Sequence, residues 1–262
     1  MQSATLDLSD VKRKITRFVS DKVEASQTDG ILLALDGEVD SAVTAYLCVE
    51  ALGSRRVTAL IMPDLRSAAE EDIRDAKLVA NELCLEFKEF DIAPVQKSFM
   101  KIVESNKAAE ENLSARIRMS ILYYHANLLN RLVAGAADKS DILLGHFTKY
   151  GDGGVDILPI GDLYKTEVRR LGEVLGINRR IVAKRKSSKQ WASHRRVDAG
   201  LDYDTTDQIL SLRFDSGLDA GAISTMTMKT RVKVENVLNR YESALHKRVI
   251  PEVCILRRRS VA

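Results

Sequence analysis

The sequence contains little cysteine, and the few cysteines it has do not form a recognisable set. Three occur among 262 residues, and Cys48, Cys84 and Cys254 lie far apart along the chain. An odd number at this spacing fits neither a disulfide framework nor a zinc site. Cys48 and Cys84 lie in apolar stretches with helical periodicity, so we expect both to be buried free thiols in a reducing, cytoplasmic compartment.

The sequence also has no long hydrophobic run and no strong charge of either sign. None of its apolar runs is long enough for a transmembrane helix, and residues 1–14 lack the apolar core of a secretory signal. The 40 basic and 37 acidic side chains leave a formal net charge of +3, which is too small to predict nucleic-acid binding. Because 45% of the residues are hydrophobic, we expect residues 1–262 to form one domain with a sizeable core.

The first half of the chain alternates between short apolar runs and longer segments with helical periodicity. Residues 30–35 and 57–62 are continuous apolar runs, which are typical of strands buried on both faces of a sheet. The alternation predicts an α/β fold with a doubly wound, Rossmann-like, mostly parallel sheet flanked by helices. The predicted strands are 30–35, 57–62, 87–92 and 131–135, and the predicted helices are 10–23 (with Asp10 as a possible cap), 40–52, 70–83 and 114–129.

Beyond residue 135 the pattern changes. Residues 145–161 are rich in glycine and aspartate, which predicts a structured loop, and residues 163–175 have the periodicity of a helix. A basic stretch of low hydrophobicity at 184–200 is interpreted as a mobile loop within the same domain. Two or three short helices are expected to follow, up to His246.

The turn after the first predicted strand is the first candidate for a ligand site, because ligands of open α/β sheets bind beyond the carboxyl ends of the strands. It reads Asp-Gly-Glu-Val-Asp-Ser at residues 36–41. Gly37 and Ser41 are small enough for backbone N–H groups and a helix N-terminus to approach a phosphate. Asp40 offers carboxylate oxygens, which are the ligands that Mg²⁺ prefers. The turn therefore predicts a site for phosphate and magnesium.

Four further segments resemble the ammonia-dependent NAD synthetases, a family of the N-type ATP pyrophosphatases. Residues 147–154 read FTKYGDGG and residues 159–168 read PIGDLYKTEV, as in that family. Residues 112–123 follow its pattern NxxARxRMxxLY, and residues 246–248 read HKR. The resemblance implies an adenine nucleotide alpha hydrolase-like fold with a helical C-terminal part. It also implies a reaction in which ATP adenylates the nicotinic acid carboxylate of deamido-NAD, pyrophosphate leaves, and ammonia displaces AMP to give NAD.

The resemblance implies roles for individual residues as well. Asp40, Lys165 and His246 would be catalytic, and Asp40 and Asp141 would bind Mg²⁺. ATP would be contacted by Gly37, Asp40, Ser41, Arg118, Lys165 and Ser187, and deamido-NAD by Phe147, Lys149, Asp152, Asp156, His246 and Lys247. The expected ligands are ATP, Mg²⁺, deamido-NAD and free ammonia, and the expected assembly is a homodimer with its sites at the interface.

The sequence departs from the family pattern in the loops that are expected to bind ATP. Where the family has SGGxDS, Asp36 replaces the first serine and Glu38 the second glycine. A carboxylate about 4 Å from a phosphate charge is repelled by roughly 4 kcal/mol at an effective dielectric near 20. A side chain at position 38 would add strain if φ were positive there. Ala136 replaces a threonine, and Arg195 and Arg196 replace an acidic segment. Two interpretations stay open: a working synthetase, or a catalytically impaired homologue that keeps the fold, the dimer and the dinucleotide pocket.

A DNA-binding regulator is a more distant alternative. Residues 217–241 can be interpreted as a helix, a turn and a second helix, and a basic stretch lies upstream at 179–196. The second helix carries few basic residues, and helix pairs of this kind usually pack within a domain. We therefore regard nucleic acid as an unlikely partner.

Overall fold

A computed structural model describes residues 6–184, 201–254 and 256. Ser187, Arg195 and Arg196 lie outside the described residues, as does the predicted loop at 184–200 apart from Lys184. The strands are β1 (Gly30–Ala34), β2 (Val57–Ile61), β3 (Glu86–Glu89) and β4 (Arg131–Ala134). The helices are α1 (Leu8–Ala25), α2 (Val39–Leu52), α3 (Glu70–Glu82), α4 (Ala93–Phe99), α5 (Lys107–Leu129), α6 (Lys139–Leu144), α7 (Lys165–Val174), α8 (Arg179–Ala183), α9 (Tyr203–Phe214), α10 (Ala220–Thr227), α11 (Arg231–Ser243) and α12 (Leu245–Arg248), with a 3₁₀ turn at Ser54–Arg56.

The four strands form one parallel sheet in the order β3-β2-β1-β4. The chain first adds strands on one side of β1 and then crosses to its other side with β4, so the order reverses between β1 and β4. Helices cover both faces of the sheet, and alternate residues of β1 therefore pack into two different apolar clusters. Ile31 and Leu33 of β1 pack in a cluster with α1, α2, α3 and α7, whereas Leu32 packs against α5. The predicted doubly wound parallel sheet is confirmed.

Several predicted boundaries shift because side chains cap the helices at other residues. Asp7, rather than Asp10, caps α1, since its carboxylate accepts hydrogen bonds from the N–H groups of Ser9 and Asp10. Helix α5 begins well before the predicted residue 114, because the Asn106 side chain accepts from the N–H of Ala109. Strand β3 ends at Glu89 rather than at residue 92, and the short helix α4 follows it.

Among residues 201–254 the structure has four short helices, one more than the upper estimate from the sequence. Helices α9, α10 and α11 share an apolar cluster that includes Leu210, Ile223 and Val234, each fully buried. The segment at 217–241 is thus a packed helix pair, and its second helix turns Val234 and Val237 towards this cluster.

One prediction about the cysteines is wrong. Cys48 is fully buried in α2, but Cys84 is exposed, because it follows the last turn of α3 in a left-handed conformation with φ of 51°. Burial raises the pKa of the Cys48 thiol to about 12. None of the described helices is both long and apolar enough to cross a lipid bilayer.

Candidate active site

A pocket of about 880 Å³ opens at the carboxyl ends of β1, β2 and β4, where the strand order reverses. This is the position at which doubly wound sheets bind their ligands. The turn after β1, the segment after β2, the turn after β4 and one face of α5 line it. Five residues that the sequence assigned to ligands are among its walls, namely Asp40, Ser41, Arg118, Asp141 and Asp152.

The turn at residues 36–41 has a conformation that only glycine suits at one position. Gly37 has φ of +81°, and a Cβ there would lie 2.2 Å from the carbonyl oxygen of Asp72. Glu38, by contrast, has φ of −96° and ψ of 158°, an extended conformation open to any residue. The condition for strain at Glu38, a positive φ, is therefore not met. The residue that departs from the family pattern occupies the N-cap of α2 without distorting the backbone.

The Asp36 carboxylate occupies the donors of the turn. Its Oδ1 accepts a hydrogen bond from the Ser41 hydroxyl at 2.5 Å and another from the Glu38 N–H at 3.0 Å. A hydroxyl and a backbone N–H next to a helix N-terminus are the groups that a phosphate oxygen would use. Asp36 thus stands where a ligand's anionic oxygen is expected. Because its side chain is exposed, water screens its charge, and its repulsion of a phosphate at about 4 Å is nearer 1 kcal/mol than 4.

Lys165, at the first position of α7, lies in the middle of three carboxylates beside this turn. Its Nζ is 2.5 Å from Asp40 Oδ2, 2.6 Å from Asp138 Oδ2 and 3.3 Å from Asp141 Oδ2, and its side chain is 1% exposed. Asp40 comes from α2, whereas Asp138 and Asp141 come from the start of α6. The cluster therefore ties together the turns that follow β1 and β4.

Burial and charge oppose each other in this cluster. Burial alone would lower the Lys165 pKa, but the carboxylates of Asp138, Asp141 and Asp40 raise it well above its ordinary value. For Asp138, burial and the neighbouring Asp141 raise the pKa to about 7, although Lys165 acts in the opposite direction. One ammonium faces three carboxylates, so the buried cluster attracts further positive charge.

The donor set of this cluster fits Mg²⁺. Carboxylate oxygens of Asp40, Asp138 and Asp141 lie within 4.8 Å of one another, and hard oxygen ligands are what this ion prefers. Asp40 Oδ1 is buried and accepts no hydrogen bond from any described residue. A divalent cation would also balance the excess of two carboxylates over Lys165. The sequence analysis assigned Asp40 and Asp141 to this role but missed Asp138.

The walls of the pocket are acidic as a whole. The basic side chains among them are Arg66, Lys107 and Arg118. Arg66 pairs with Asp64, while Arg118 donates from Nε to the carbonyl of Met62 at 2.8 Å. Burial lowers the pKa of Arg118, and Asp36, Asp64 and Asp152 favour its charged form. The acidic wall residues are Asp36, Glu38, Asp40, Asp64, Asp72, Glu110, Glu111, Asp141 and Asp152.

The residues that the sequence assigned to deamido-NAD form a second group, at the segment 147–156 and the C-terminal helices. Lys149 Nζ donates to the carbonyl of His246, and Lys247 Nζ donates to the carbonyls of Gly145 and Phe147, each at 2.7 Å. Phe147 is buried, whereas the His246 side chain is exposed. These contacts fasten α12 to the loop that follows α6.

Asp152 and Asp156 stabilise the backbone of the same loop. The Asp152 carboxylate accepts from the Thr148 N–H at 2.8 Å. Asp156 accepts from the Val133 N–H at 2.7 Å and from the Tyr123 hydroxyl at 2.8 Å, which ties the loop to β4 and α5. Of the six residues assigned to deamido-NAD, Asp152 lines the pocket and the other five lie outside its walls.

The chain is similar to known proteins over most of its length. A family model described as NAD synthase matches residues 11–251. An NH(3)-dependent NAD(+) synthetase from Archaeoglobus fulgidus is 44% identical over 254 residues, covering 96% of this chain and 99% of the relative. One from Hyperthermus butylicus is 41% identical over 249 residues, covering 94% and 90%.

Solved structures of similar proteins have the same fold. An NH3-dependent NAD synthetase from Campylobacter jejuni is 30% identical, with a TM-score of 0.82, and the match covers 95% of this chain and 100% of that chain. An NMN synthetase from Francisella tularensis is 27% identical, with a TM-score of 0.81, covering 95% and 99%.

Proposed function

The chain belongs to the NAD synthase family, and from that membership we propose that it catalyses the ATP-dependent amidation of deamido-NAD by ammonia to NAD. The observation that carries this proposal is the match over residues 11–251, which includes every element around the pocket. The curated relatives are described as NH(3)-dependent, so we propose free ammonia as the nitrogen source. The acids of the turn at 36–41 do not distort it, which favours a working enzyme over an impaired one.

In the proposed reaction, a carboxylate oxygen of the nicotinic acid ring attacks the α-phosphorus of ATP, and pyrophosphate leaves. The nitrogen of ammonia then attacks the carbonyl carbon of the adenylated carboxylate, AMP leaves with the electron pair of the broken C–O bond, and the nitrogen releases one proton to give the amide. Catalysis of this kind depends on positioning and on stabilising the charge of the leaving group. We propose that the Glu38 N–H and the Ser41 hydroxyl release Asp36 and donate to phosphate oxygens instead.

We assign the ATP side of the site to the pocket walls. Gly37, Ser41, Arg118 and Lys165 are proposed to contact the nucleotide, and Asp40, Lys165 and His246 keep their proposed catalytic roles. Asp40, Asp138 and Asp141 would hold Mg²⁺, which when bound supplies positive charge to the phosphates in an otherwise acidic pocket. Ser187, outside the described residues, keeps its proposed role as an ATP contact.

We propose that deamido-NAD is held by the segment at 147–156 together with His246 and Lys247. The support is that Lys149 and Lys247 bring these two parts of the chain into contact. A homodimer with sites at its interface is proposed as well, and exposed apolar side chains on α5, Tyr124 and Leu128, are candidates for its contact surface. The exposed free thiols Cys84 and Cys254 are consistent with a reducing compartment such as the cytoplasm.

The proposal is tested by incubating the purified chain with ATP, Mg²⁺, ammonium and deamido-NAD and measuring NAD and AMP by chromatography. We expect both products in equal amounts, and neither when ATP, Mg²⁺ or deamido-NAD is omitted. Parallel reactions with glutamine in place of ammonium, and with nicotinic acid mononucleotide in place of deamido-NAD, test the nitrogen source and the acceptor. Absence of NAD at saturating substrates would contradict the proposal, and preference for the mononucleotide would correct its substrate.

A further inference from the structure

The Lys184 side chain joins the turn at 36–41 to α3. Its ammonium lies 2.5 Å from Asp72 Oδ1 and 2.9 Å from Asp75 Oδ2, and it donates to the carbonyl oxygen of Gly37 at 3.3 Å. The Lys184 side chain is 8% exposed, and that of Asp75 is fully buried. Two carboxylates of one helix therefore hold the long lysine stem in a single place over the turn.

The carbonyl that Lys184 contacts belongs to the peptide unit between Gly37 and Glu38. Because a trans peptide is planar, its C=O and N–H point in opposite directions. The N–H of this unit is that of Glu38, which donates to Asp36 Oδ1 inside the turn at 3.0 Å. An ammonium fixed on the carbonyl thus determines where the N–H points, and it polarises the peptide so that the N–H is a stronger donor.

Gly37 makes this restraint necessary. It has φ of +81°, and glycine populates both signs of φ, so the peptide that follows it can rotate at little steric cost. After such a rotation, the carbonyl oxygen rather than the N–H would face the inside of the turn. A negative carbonyl dipole there would repel a phosphate, whereas the N–H attracts it.

We propose that Lys184 is a positioning residue for phosphate binding, which holds the Gly37–Glu38 peptide with its N–H facing the phosphates of ATP. The inference rests on the proposed function, since it assumes that phosphate binds in this turn. Burial by itself would lower the Lys184 pKa, but hydrogen bonds to Asp72 and Asp75 raise it. The ammonium is therefore charged at neutral pH, as the polarisation of the peptide requires.

Arg180 provides a matched control. Arg180 lies in α8 and, like Lys184, forms an ion pair with Asp75. Unlike Lys184, it has no observed hydrogen bond to the turn among the described residues. Replacing Arg180 with glutamine removes a cation from Asp75 while leaving the Gly37 carbonyl with its ammonium. The Arg180 side chain is 51% exposed and that of Lys184 is 8% exposed, so ion pairing alone predicts a smaller loss of stability for Arg180→Gln. Only a positioning role of Lys184 predicts a selective change at the Glu38 amide.

The test measures two quantities in the wild-type chain and in Lys184→Met, Lys184→Arg and Arg180→Gln. One is the KM of ATP and of deamido-NAD in NAD formation. The other is the rate of hydrogen exchange of the Glu38 amide in the ligand-free protein, by NMR. A double variant, Asp72→Asn with Lys184→Met, removes an acid together with the cation. It replaces Lys184→Met in both measurements if that single variant does not fold.

We expect Lys184→Met to raise the KM of ATP by about tenfold or more, as for a lost hydrogen bond to a charged group, and to accelerate exchange at Glu38. The KM of deamido-NAD should stay within about twofold, Lys184→Arg should restore part of the ATP affinity, and Arg180→Gln should change neither quantity. Equal effects of Lys184→Met and Arg180→Gln, or an unchanged Glu38 amide, would overturn the inference. If the wild-type chain forms no NAD, the proposed function fails, and the Glu38 amide still decides whether Lys184 positions the peptide.

Discussion

The turn at 36–41 departs from the family pattern in two acids, whereas the segment at 147–154 matches it at every residue, and the structure assigns the two regions different tasks. In the turn, Asp36 and Glu38 replace residues that would face a phosphate, and yet the backbone keeps a conformation with donors turned inward. In the segment, side chains that the family resemblance assigns to a ligand hold the loop together.

This difference shows that a match to a family pattern and a role in ligand binding are separate matters. The side chains of Lys247 and Asp156 each form two hydrogen bonds within the chain, so folding alone is a reason for those residue types. Conversely, Asp36 is a departure that the turn accommodates, because its carboxylate uses the same donors as the expected anion. Asp36 therefore competes with a phosphate for the Glu38 N–H and the Ser41 hydroxyl, but it does not change the backbone conformation of the turn.

The largest effect is expected at the cluster that joins the turn at 36–41 to the turn after β4. Lys165→Met leaves three buried carboxylates without their ammonium, so the free energy of unfolding should fall by about 3–5 kcal/mol. NAD formation should be lost as well. Urea unfolding measures the stability change, and Lys149→Met, which removes an amine that bonds one backbone carbonyl, is the control. Equal stability of the two variants would show that the cluster does not hold the turns together.

Gly37→Ala should cause the next largest loss of stability, because the turn requires glycine there for two reasons. The new Cβ would lie 2.2 Å from the Asp72 carbonyl, and φ of +81° adds strain of about 1–3 kcal/mol. Gly53→Ala is a matched control with φ of +77° and no atom within 4 Å of the added Cβ. Thermal unfolding should therefore show a larger loss for Gly37→Ala, and a loss of equal size in both would mean that the contact with Asp72 contributes nothing.

The sequence alone predicted the backbone of the sheet better than it predicted the residues of the site. The strands β1 and β2 are continuous apolar runs and β4 is apolar after Arg131, so their positions and parallel direction followed from local pattern and connection rules. The helix α4 was missed because it has only seven residues and contains Pro94. Asp138 was missed because its role depends on Lys165, which lies close to it only after α6 and α7 have packed together.

A smaller, selective effect is expected on the matching segment. Lys247→Met removes the donor to Gly145 and Phe147, so the KM of deamido-NAD should rise by about tenfold while that of ATP stays within about twofold. Steady-state kinetics with each substrate varied in turn provides the measurement. Equal rises for both substrates would indicate a general loss of structure and would remove the distinction between the two regions.

The smallest effect is a gain. Asp36→Ser removes the carboxylate that competes for the turn and should tighten ATP binding by about fivefold, since the exposed charge is screened. Glu110→Gln is the control, because Glu110 is an acid of the same pocket whose carboxylate accepts from the Ser105 hydroxyl rather than from the turn. If both variants gain the same ATP affinity, the net charge of the pocket determines ATP binding and the position of Asp36 does not.

Above all, we expect the turn at 36–41 to bind the phosphates of ATP despite its two acids. Calorimetric titration of the unaltered chain with ATP in the presence of Mg²⁺ tests this most directly. The account predicts saturable binding of one ATP per chain, weakened when Mg²⁺ is chelated and strengthened in Asp36→Ser. An unaltered chain that binds no ATP, next to an Asp36→Ser variant that does, would contradict it and favour the impaired homologue.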